Sequence, residues 1–166
     1  MPDGLGGDLV HAFKYDGWHA LAPGMAARMA RLTWPSDVIA ERTALVPVPL
    51  SRQRARERGF NQSALLAGAL HVQSSVDVWH DVLVRDHFTQ SQTRLTPEER
   101  LRNVSGAFRV AGDLARLRGA HLLLVDDVVT TAATPNACAA ALFTGGARII
   151  SYVTFGRARL PGDAPT

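Results

Sequence analysis

The sequence predicts an α/β protein with a mainly parallel central sheet flanked by helices. Short apolar runs at residues 43–48 and 121–125 have the composition of strands that are buried on both faces. Segments with helical periodicity alternate with such runs along the chain. The 166 residues, 46% of them hydrophobic, are enough to bury one core. We expect a single domain over residues 1–156 and a disordered tail over 157–166, where two prolines and a glycine favour fraying.

The N-terminal half is predicted to contain three helices and a strand. Helices are expected around residues 7–14 and 18–33, the second rich in good helix formers and closed by Pro35. The strand at 43–48 ends at Pro49. We interpret the Arg-rich stretch 51–59 as a loop, and Asn61 as the N-cap of a helix over about 62–72.

The C-terminal half continues the alternation. Residues 77–84 contain short β-type runs, residues 86–95 lack a regular period and are predicted to form a loop, and residues 107–110 are a candidate strand. Between the last two, a Thr cap followed by Pro and two Glu at 96–99 predicts a short helix that ends near Asn103. After the strand at 121–125 come a loop, a helix over about 135–143 ended by two glycines, and a last strand at 148–155.

Composition and charge exclude some classes of function. Cys138 is the single cysteine, which excludes a disulfide framework or a cysteine-based zinc site within one chain. Its Ala-rich surroundings favour a small buried residue over a nucleophile. No stretch is long enough to span a membrane and no signal pattern is present, so we expect a cytoplasmic protein without membrane insertion. The formal charge of +3, with Arg at 17 of 18 basic positions, permits a phosphate-rich ligand or nucleic acid without choosing between them.

The segment 122–134, LLLVDDVVTTAAT, carries the most specific chemical signal. An apolar strand brings Asp126 and Asp127 to its carboxyl end, where open α/β sheets bind ligands. The loop that follows and the start of the next helix form an anion site, to which Thr130, Thr131 and Thr134 add hydroxyl groups. The carboxylates can accept hydrogen bonds from a sugar diol, and the anion site beside them can bind a phosphate. This combination is typical of a site for a ribose 5-phosphate.

Two other interpretations of the acid pair are weaker. Response-regulator receivers carry an acid pair, but after their first strand, whereas this pair follows a late strand. A purely structural turn gives no reason to keep two carboxylates that repel each other.

Residues 122–134 resemble the phosphoribosyl diphosphate (PRPP) signature of type I phosphoribosyltransferases, with two acids, two apolar residues and a T-T-G-x-T loop. The rest of the chain resembles the ComF family. Residues 46–70, VPVPLSRQRARERGFNQSALLAGAL, resemble its V-P-x-P-L and R-x-R-x-R-G-F-N-Q motifs, and residues 85–108 resemble its R-x-x-x-T-x-x-Q-x-x-L and N-x-x-G-x-F motifs. Residues 11–21 resemble its Lys-Tyr segment. The resemblance covers most of residues 11–156 and implies a type I phosphoribosyltransferase-like fold with a flexible flap over the sheet's carboxyl edge.

The resemblance also implies roles for individual residues. Asp126 and Asp127 would hold the ribose hydroxyls. The residues that would cradle the 5-phosphate are Thr130, Thr131, Ala132, Ala133 and Thr134. Those that would bind pyrophosphate are Pro49, Leu50, Ser51 and Arg52. The flap at 85–95 would include Arg85, Thr89 and Gln92. Mg²⁺ would arrive with PRPP and keep most of its ligands from substrate and water. No protein metal ligand and no catalytic residue can be named, although His87 in the flap is the one histidine worth testing for acid–base work.

The chain departs from the family pattern at two places. Ala132 replaces the glycine of the T-T-G-x-T loop, which weakens phosphate binding if that position needs a positive φ. ComF proteins commonly carry a cysteine-rich zinc ribbon ahead of the fold. This chain starts without one, so we expect either a short form or a truncated chain.

Two classes of function follow. The first is an enzyme that transfers the phosphoribosyl group of magnesium–PRPP to an unidentified acceptor and releases pyrophosphate. The second is a non-catalytic protein that binds PRPP or a nucleotide, or handles single-stranded DNA during DNA uptake in natural transformation. For the second class, an extended loop would place Arg52, Arg54, Arg56 and Arg58 on one side, facing a phosphate backbone, while a solvated loop explains them equally well. A homodimer is a further alternative for a partner.

Overall fold

The computed structural model describes residues 5–85 and 106–158. The predicted loop at 86–95, the predicted helix at 96–103 and the tail beyond residue 158 lie outside this part of the chain. The helices are α1 (Leu5–Tyr15), α2 (Ala22–Ala30), α3 (Ser36–Glu41), α4 (Arg52–Arg58), α5 (Gln62–Ser74) and α6 (Ala133–Thr144). The strands are β1 (Arg42–Pro47), β2 (Leu83–Arg85), β3 (Phe108–Val110), β4 (His121–Val129) and β5 (Ile149–Arg157). Short 3-10 helices span His19–Leu21 and Leu114–Leu117.

The predicted parallel sheet is confirmed. Its strand order is β1-β4-β5, and both pairings of the central strand β4 are parallel. Beyond β1, Val78 forms a parallel bridge to Leu45, so one of the predicted short β-type runs extends the sheet. Strands β2 and β3 pair with each other in an antiparallel ladder, which brings together the two ends of the segment between them.

The side chains of the sheet alternate between two cores. On one face, Leu45 and Leu123 pack in a cluster with Phe13 of α1, Met29 of α2 and Leu66 of α5. On the other face, Val46, Leu122 and Leu124 pack with residues of α6, β2 and β3. Cys138 lies in this second cluster and is fully buried, as its Ala-rich surroundings predicted. Since β4 is covered on both sides, its continuous apolar run has a direct structural cause.

Three predictions about the N-terminal half were wrong. The helix expected over 18–33 ends at Ala30, and Pro35 precedes α3 rather than closing α2. The stretch 51–59 is a helix, because the Ser51 hydroxyl accepts a hydrogen bond from Arg54 N–H and Gly59 ends α4 at φ 75°. Its arginines therefore do not share one side. Arginines separated by four positions share a face of the helix. Arg52 therefore lies beside Arg56 on one face, and Arg54 lies beside Arg58 on another.

The C-terminal elements agree with prediction more closely. Strand β5 continues to Arg157, and Ala158 N–H donates to Val129 O, so the ordered chain reaches beyond the expected boundary at residue 156. Within residues 5–85 and 106–158, none of the helices combines the length and hydropathy needed to cross a bilayer.

Shortening a side chain of β4 should measure how much of the stability depends on the two-sided core. Leu124→Ala should lower the free energy of unfolding by about 2–5 kcal/mol, since the Leu124 side chain is fully buried and a cavity would remain. Val72→Ala, at a position of α5 that is 77% exposed, should change it by less than about 0.5 kcal/mol. Urea denaturation of both variants tests the prediction, and equal losses would contradict this packing.

Candidate functional site

Strand β4 continues to Val129 rather than ending at the predicted residue 125, so Asp126 and Asp127 lie within its last four residues. Asp126 is held there by hydrogen bonds from two other elements. Its Oδ1 accepts from the Ser63 hydroxyl at 2.9 Å and from Asp127 N–H at 2.9 Å. Its Oδ2 accepts from the Tyr152 hydroxyl of β5 at 3.3 Å. Ser63 is buried in the first turn of α5, which Asn61 caps as predicted. The carboxylate therefore has a fixed orientation set by α5 and β5.

Asp127 is joined to the N-terminal helix. Its side chain is buried, and its Oδ2 lies 3.0 Å from Lys14 Nζ of α1 in an ion pair. That oxygen accepts no hydrogen bond from the other residues of the described chain, whereas Oδ1 accepts from Val128 N–H at 2.7 Å. On the backbone side, the Thr154 hydroxyl donates to Asp127 O at 2.9 Å. Among residues 5–85 and 106–158, Lys14 alone balances the charge of Asp127 Oδ2. A ligand could displace this ammonium group or bind to it.

The electrostatics of the acid pair follow from burial. Burial raises the pKa of Asp126 to about 6, and the adjacent charge of Asp127 adds to the rise, against the hydrogen bond from Ser63. Burial and the charge of Asp126 also raise the pKa of Tyr152 well above its usual value. Tyr152 therefore keeps its proton and remains a donor to Asp126. The pKa of Cys138 is raised by burial and then by Asp126, which removes it as a thiolate nucleophile.

The predicted phosphate loop contains a strained residue. Ala132 has φ 54° and ψ 1°, in the left-handed region that favours glycine, and it is the N-cap of α6 without a side-chain cap. The helix therefore begins at Ala133, two residues before the start expected at about residue 135. Thr130, Thr131 and Ala132 are exposed, and Ala133 and Thr134 are half-buried. The loop presents its surface to solvent beside the carboxyl end of β4.

The predicted pyrophosphate residues directly follow β1. Val48 N–H donates to Val125 O at 3.0 Å and Asn61 Nδ2 donates to Val48 O at 3.1 Å, which ties this loop to both β4 and α5. Pro49, Leu50 and Ser51 are half-buried, and Arg52 is exposed as the first residue of α4.

Of the predicted flap residues, the structure describes Arg85 alone. The Arg85 guanidinium lies 5.2 Å from the centroid of the Phe108 ring. Burial lowers the pKa of Arg85, and the positive charge of Arg54 lowers it further. Thr89, Gln92 and His87 lie outside the described residues.

Sequence reasoning found the acid pair but missed the residues that hold it. Ser63 and Tyr152 are distant in sequence and have no motif of their own, so only the fold reveals them. The sequence did contain a signal that could have identified Lys14 as a site residue. It is the only lysine of the chain and lies in the Lys-Tyr segment.

The donor set permits magnesium that arrives with a substrate. The described residues contain no group of three or more His, Cys, Asp or Glu side chains that could hold a metal alone. Two adjacent carboxylates fit the preference of Mg²⁺ for one or two acid ligands completed by phosphates and water.

The chain has curated relatives among DNA utilization and competence proteins. It is 33% identical over 149 residues to the DNA utilization protein YhgH of Salmonella typhi, a match that covers 86% of this chain and 63% of that protein. It is 32% identical over 115 residues to Competence protein F of Haemophilus influenzae and 37% identical over 102 residues to Competence protein ComFC of Bacillus subtilis, which cover 65% and 61% of this chain. The chain spans 63%, 50% and 39% of the lengths of these three relatives. No family model matches it.

Solved structures with a similar fold include a PRPP amidotransferase and an enzyme of purine biosynthesis. Glutamine PRPP amidotransferase from B. subtilis, solved with ADP and GMP, has a TM-score of 0.52 at 14% identity, covering 81% of this chain and 26% of that one. The allosteric regulatory enzyme of purine biosynthesis has a TM-score of 0.51 at 14% identity, covering 82% of this chain and 26% of that one. At such identity the similarity concerns the fold alone. It confirms the expected type I phosphoribosyltransferase fold.

Replacing Ala132 should relieve the backbone strain in the phosphate loop. Ala132→Gly should raise the free energy of unfolding by about 1 kcal/mol, because glycine has no Cβ to oppose a positive φ. The same change at Ala140, an exposed interior position of α6, should lower it by about 1 kcal/mol. Thermal or urea unfolding of both variants measures the difference, and the same sign for both would contradict the left-handed conformation.

The raised pKa of Asp126 should appear as a pH-dependent stability. The folded protein holds a proton on Asp126 at pH values where the unfolded chain has released it, so this group's contribution to stability falls as pH rises from about 4 to above 6. Asp126→Asn removes that dependence. From pH 4 to pH 7, its free energy of unfolding should therefore increase by roughly 2–3 kcal/mol relative to that of the native protein. Urea denaturation across that range tests this. A constant difference between the two proteins would show that the pKa of Asp126 is not raised.

Proposed function

The chain is a homologue of the ComF-type competence proteins and has the type I phosphoribosyltransferase fold, and on that premise we propose that it binds magnesium–PRPP. The observation that carries the proposal is the pair of adjacent carboxylates near the carboxyl end of the central strand, Asp126 half-buried and Asp127 buried, beside the loop that begins α6. A sugar diol can donate to the carboxylates while the loop N–H groups and the start of the twelve-residue helix receive a phosphate.

Asp126 and Asp127 would act on the ribose as acceptors in different ways. Ser63 and Tyr152 fix Asp126 in place, so that it offers its remaining lone pairs in one direction. Asp127 is free of such donors at Oδ2 and is balanced by Lys14. Sugar hydroxyls that donate hydrogen bonds to Asp127 would weaken its ion pair with Lys14. The ammonium group of Lys14 could then interact with the anionic diphosphate.

We propose further that the site supports transfer of the phosphoribosyl group to an acceptor. The bond between C1 of the ribose and the diphosphate oxygen breaks as the acceptor bonds to C1, and pyrophosphate departs. The task of the protein is to position the sugar and to stabilise the leaving charge, for which Lys14, paired with Asp127, supplies a positive charge at the acid pair. Mg²⁺, when bound, would neutralise charge on the diphosphate oxygens.

Calorimetric titration with PRPP, with and without Mg²⁺, tests the proposal. We expect binding that needs Mg²⁺ and exceeds that of ribose 5-phosphate. Asp126→Asn and Asp127→Asn should each weaken it at least about tenfold, because each loses a charge-assisted hydrogen bond to the sugar. Asp37→Asn, which removes an exposed acid from α3, is the matched control and should leave the affinity unchanged. Normal binding of PRPP by either acid-pair variant would rule out this site.

A second candidate function is contact with single-stranded DNA, favoured by the charge of α4. This seven-residue helix carries four arginines and one glutamate, and three of the arginines are exposed. The relatives are named for DNA utilization and competence. Phosphates of a strand could pair with either face of α4 without a stacking platform.

The salt dependence of binding tests this second function. Binding of a thymidine oligonucleotide should weaken steeply with salt, and neutralising Arg52 and Arg56 to Gln should reduce the slope of log affinity against log salt by about 1.4. Fluorescence anisotropy at several salt concentrations measures it. A slope unchanged by the double variant would show that this face of α4 does not contact the strand.

A further inference from the structure

A cleft outside the acid-pair site lies between the end of α1 and helix α4. Its volume is about 500 Å³, within the range of small-molecule sites. It is lined by three cations, Lys14, Arg54 and Arg58, and by one acid, Glu57. The carboxylate of Glu57 already accepts a hydrogen bond from Gln53 Nε2 at 2.7 Å. The excess of positive charge makes the cleft suited to an anionic ligand.

Aromatic rings form the rest of its lining. Tyr15 is 58% exposed, and the Arg58 guanidinium lies 5.0 Å from its ring centroid while one NH₂ group donates to the Tyr15 hydroxyl at 3.2 Å. His19 and Phe60 contact each other with ring centroids 4.0 Å apart. Phe60 is anchored to the core through the fully buried Phe13, whose centroid is 6.2 Å away. The rings are thus held in place, yet Tyr15 leaves much of its surface open to solvent.

We propose that this cleft binds one nucleotide unit, a base with its phosphate. A base has a flat face that stacks on an exposed tyrosine or an arginine plane, and its phosphate pairs with the guanidinium groups of Arg54 and Arg58. A ligand that was only an anion would use the cations and leave the rings without a role. A ligand that was only apolar would have to cover three charges at a high cost in desolvation.

The cleft adjoins the proposed PRPP site through Lys14. The same side chain lines the cleft and lies 3.0 Å from Asp127 Oδ2. A nucleotide in the cleft would therefore be a neighbour of the sugar held by the acid pair. This adjacency rests on the proposed function, whereas binding in the cleft itself does not. The nucleotide unit could be a free mononucleotide or one residue of a single DNA strand.

The test titrates the full chain with three probes: inorganic phosphate, a deoxynucleoside 5′-monophosphate and a short thymidine oligonucleotide. Tyr15→Leu should weaken binding of the nucleotide probes at least about fivefold, since it removes the stacking face, and Tyr15→Phe should restore it. Arg58→Gln should weaken binding similarly. Arg28→Gln, which removes an exposed arginine from α2, is the matched control and should change binding less than about twofold. Circular dichroism of each variant verifies the fold.

The outcomes distinguish a free mononucleotide from a DNA strand as the ligand, and they distinguish binding in the cleft from binding at the acid pair. Binding of the monophosphate assigns a free nucleotide, and binding of the oligonucleotide alone assigns a DNA strand. Inorganic phosphate that binds as tightly as either nucleotide probe would overturn the proposal, and so would nucleotide binding that is unaffected by both Tyr15→Leu and Arg58→Gln. Asp126→Asn should weaken PRPP binding at least about tenfold and spare the nucleotide probes. If native protein fails to bind PRPP but binds them as described, the proposed function fails while this assignment stands.

Discussion

The repulsion between two adjacent carboxylates, one half-buried and one buried, governs the architecture around the carboxyl end of β4. Asp126 and Asp127 are adjacent in sequence, and burial makes each charge costly unless other groups balance it. Helix α5 supplies the Ser63 hydroxyl, β5 supplies the Tyr152 hydroxyl, and α1 supplies the Lys14 ammonium. These three elements come from the front, middle and end of the chain. The acid pair is therefore stable only in the complete fold, and its geometry reports whether that fold has formed.

Much of the framework could be predicted because its causes are local. An apolar run buried on both faces marks β4, and the side chain of Asn61 caps α5 by a bond two residues ahead. The stretch at 51–59 was misread because its high charge is typical of a solvated loop, while the cap at Ser51 and the turn at Gly59 determine a helix. At this stretch the residues at the two ends determined the structure, although the charged composition favoured a loop. The start of α6 was also misplaced, since no side-chain pattern announces a left-handed alanine.

The site itself could be predicted only in part. The acids and the threonine loop stand together in thirteen residues, so their order identifies them. Ser63, Tyr152 and Lys14 join the acids across 63, 26 and 113 positions of sequence, and their roles depend on the packing of α5, β5 and α1 on the sheet. The cleft beside α1 has the same origin. Its three cations and Tyr15 come from α1 and α4, which a loop interpretation of residues 51–59 could not place together.

Lys14 also gives the molecule an unusual chemical simplicity. It is the only lysine among 166 residues, so it carries the only primary amine on any side chain. Its Nζ lies between the acid pair and the cationic cleft, and its side chain is only 21% exposed. Reagents or enzymes that acylate lysine thus have one side-chain target, placed where the two pockets meet. Acylation of Lys14 would remove the positive charge that faces Asp127 Oδ2 and would add bulk to the lining of the cleft.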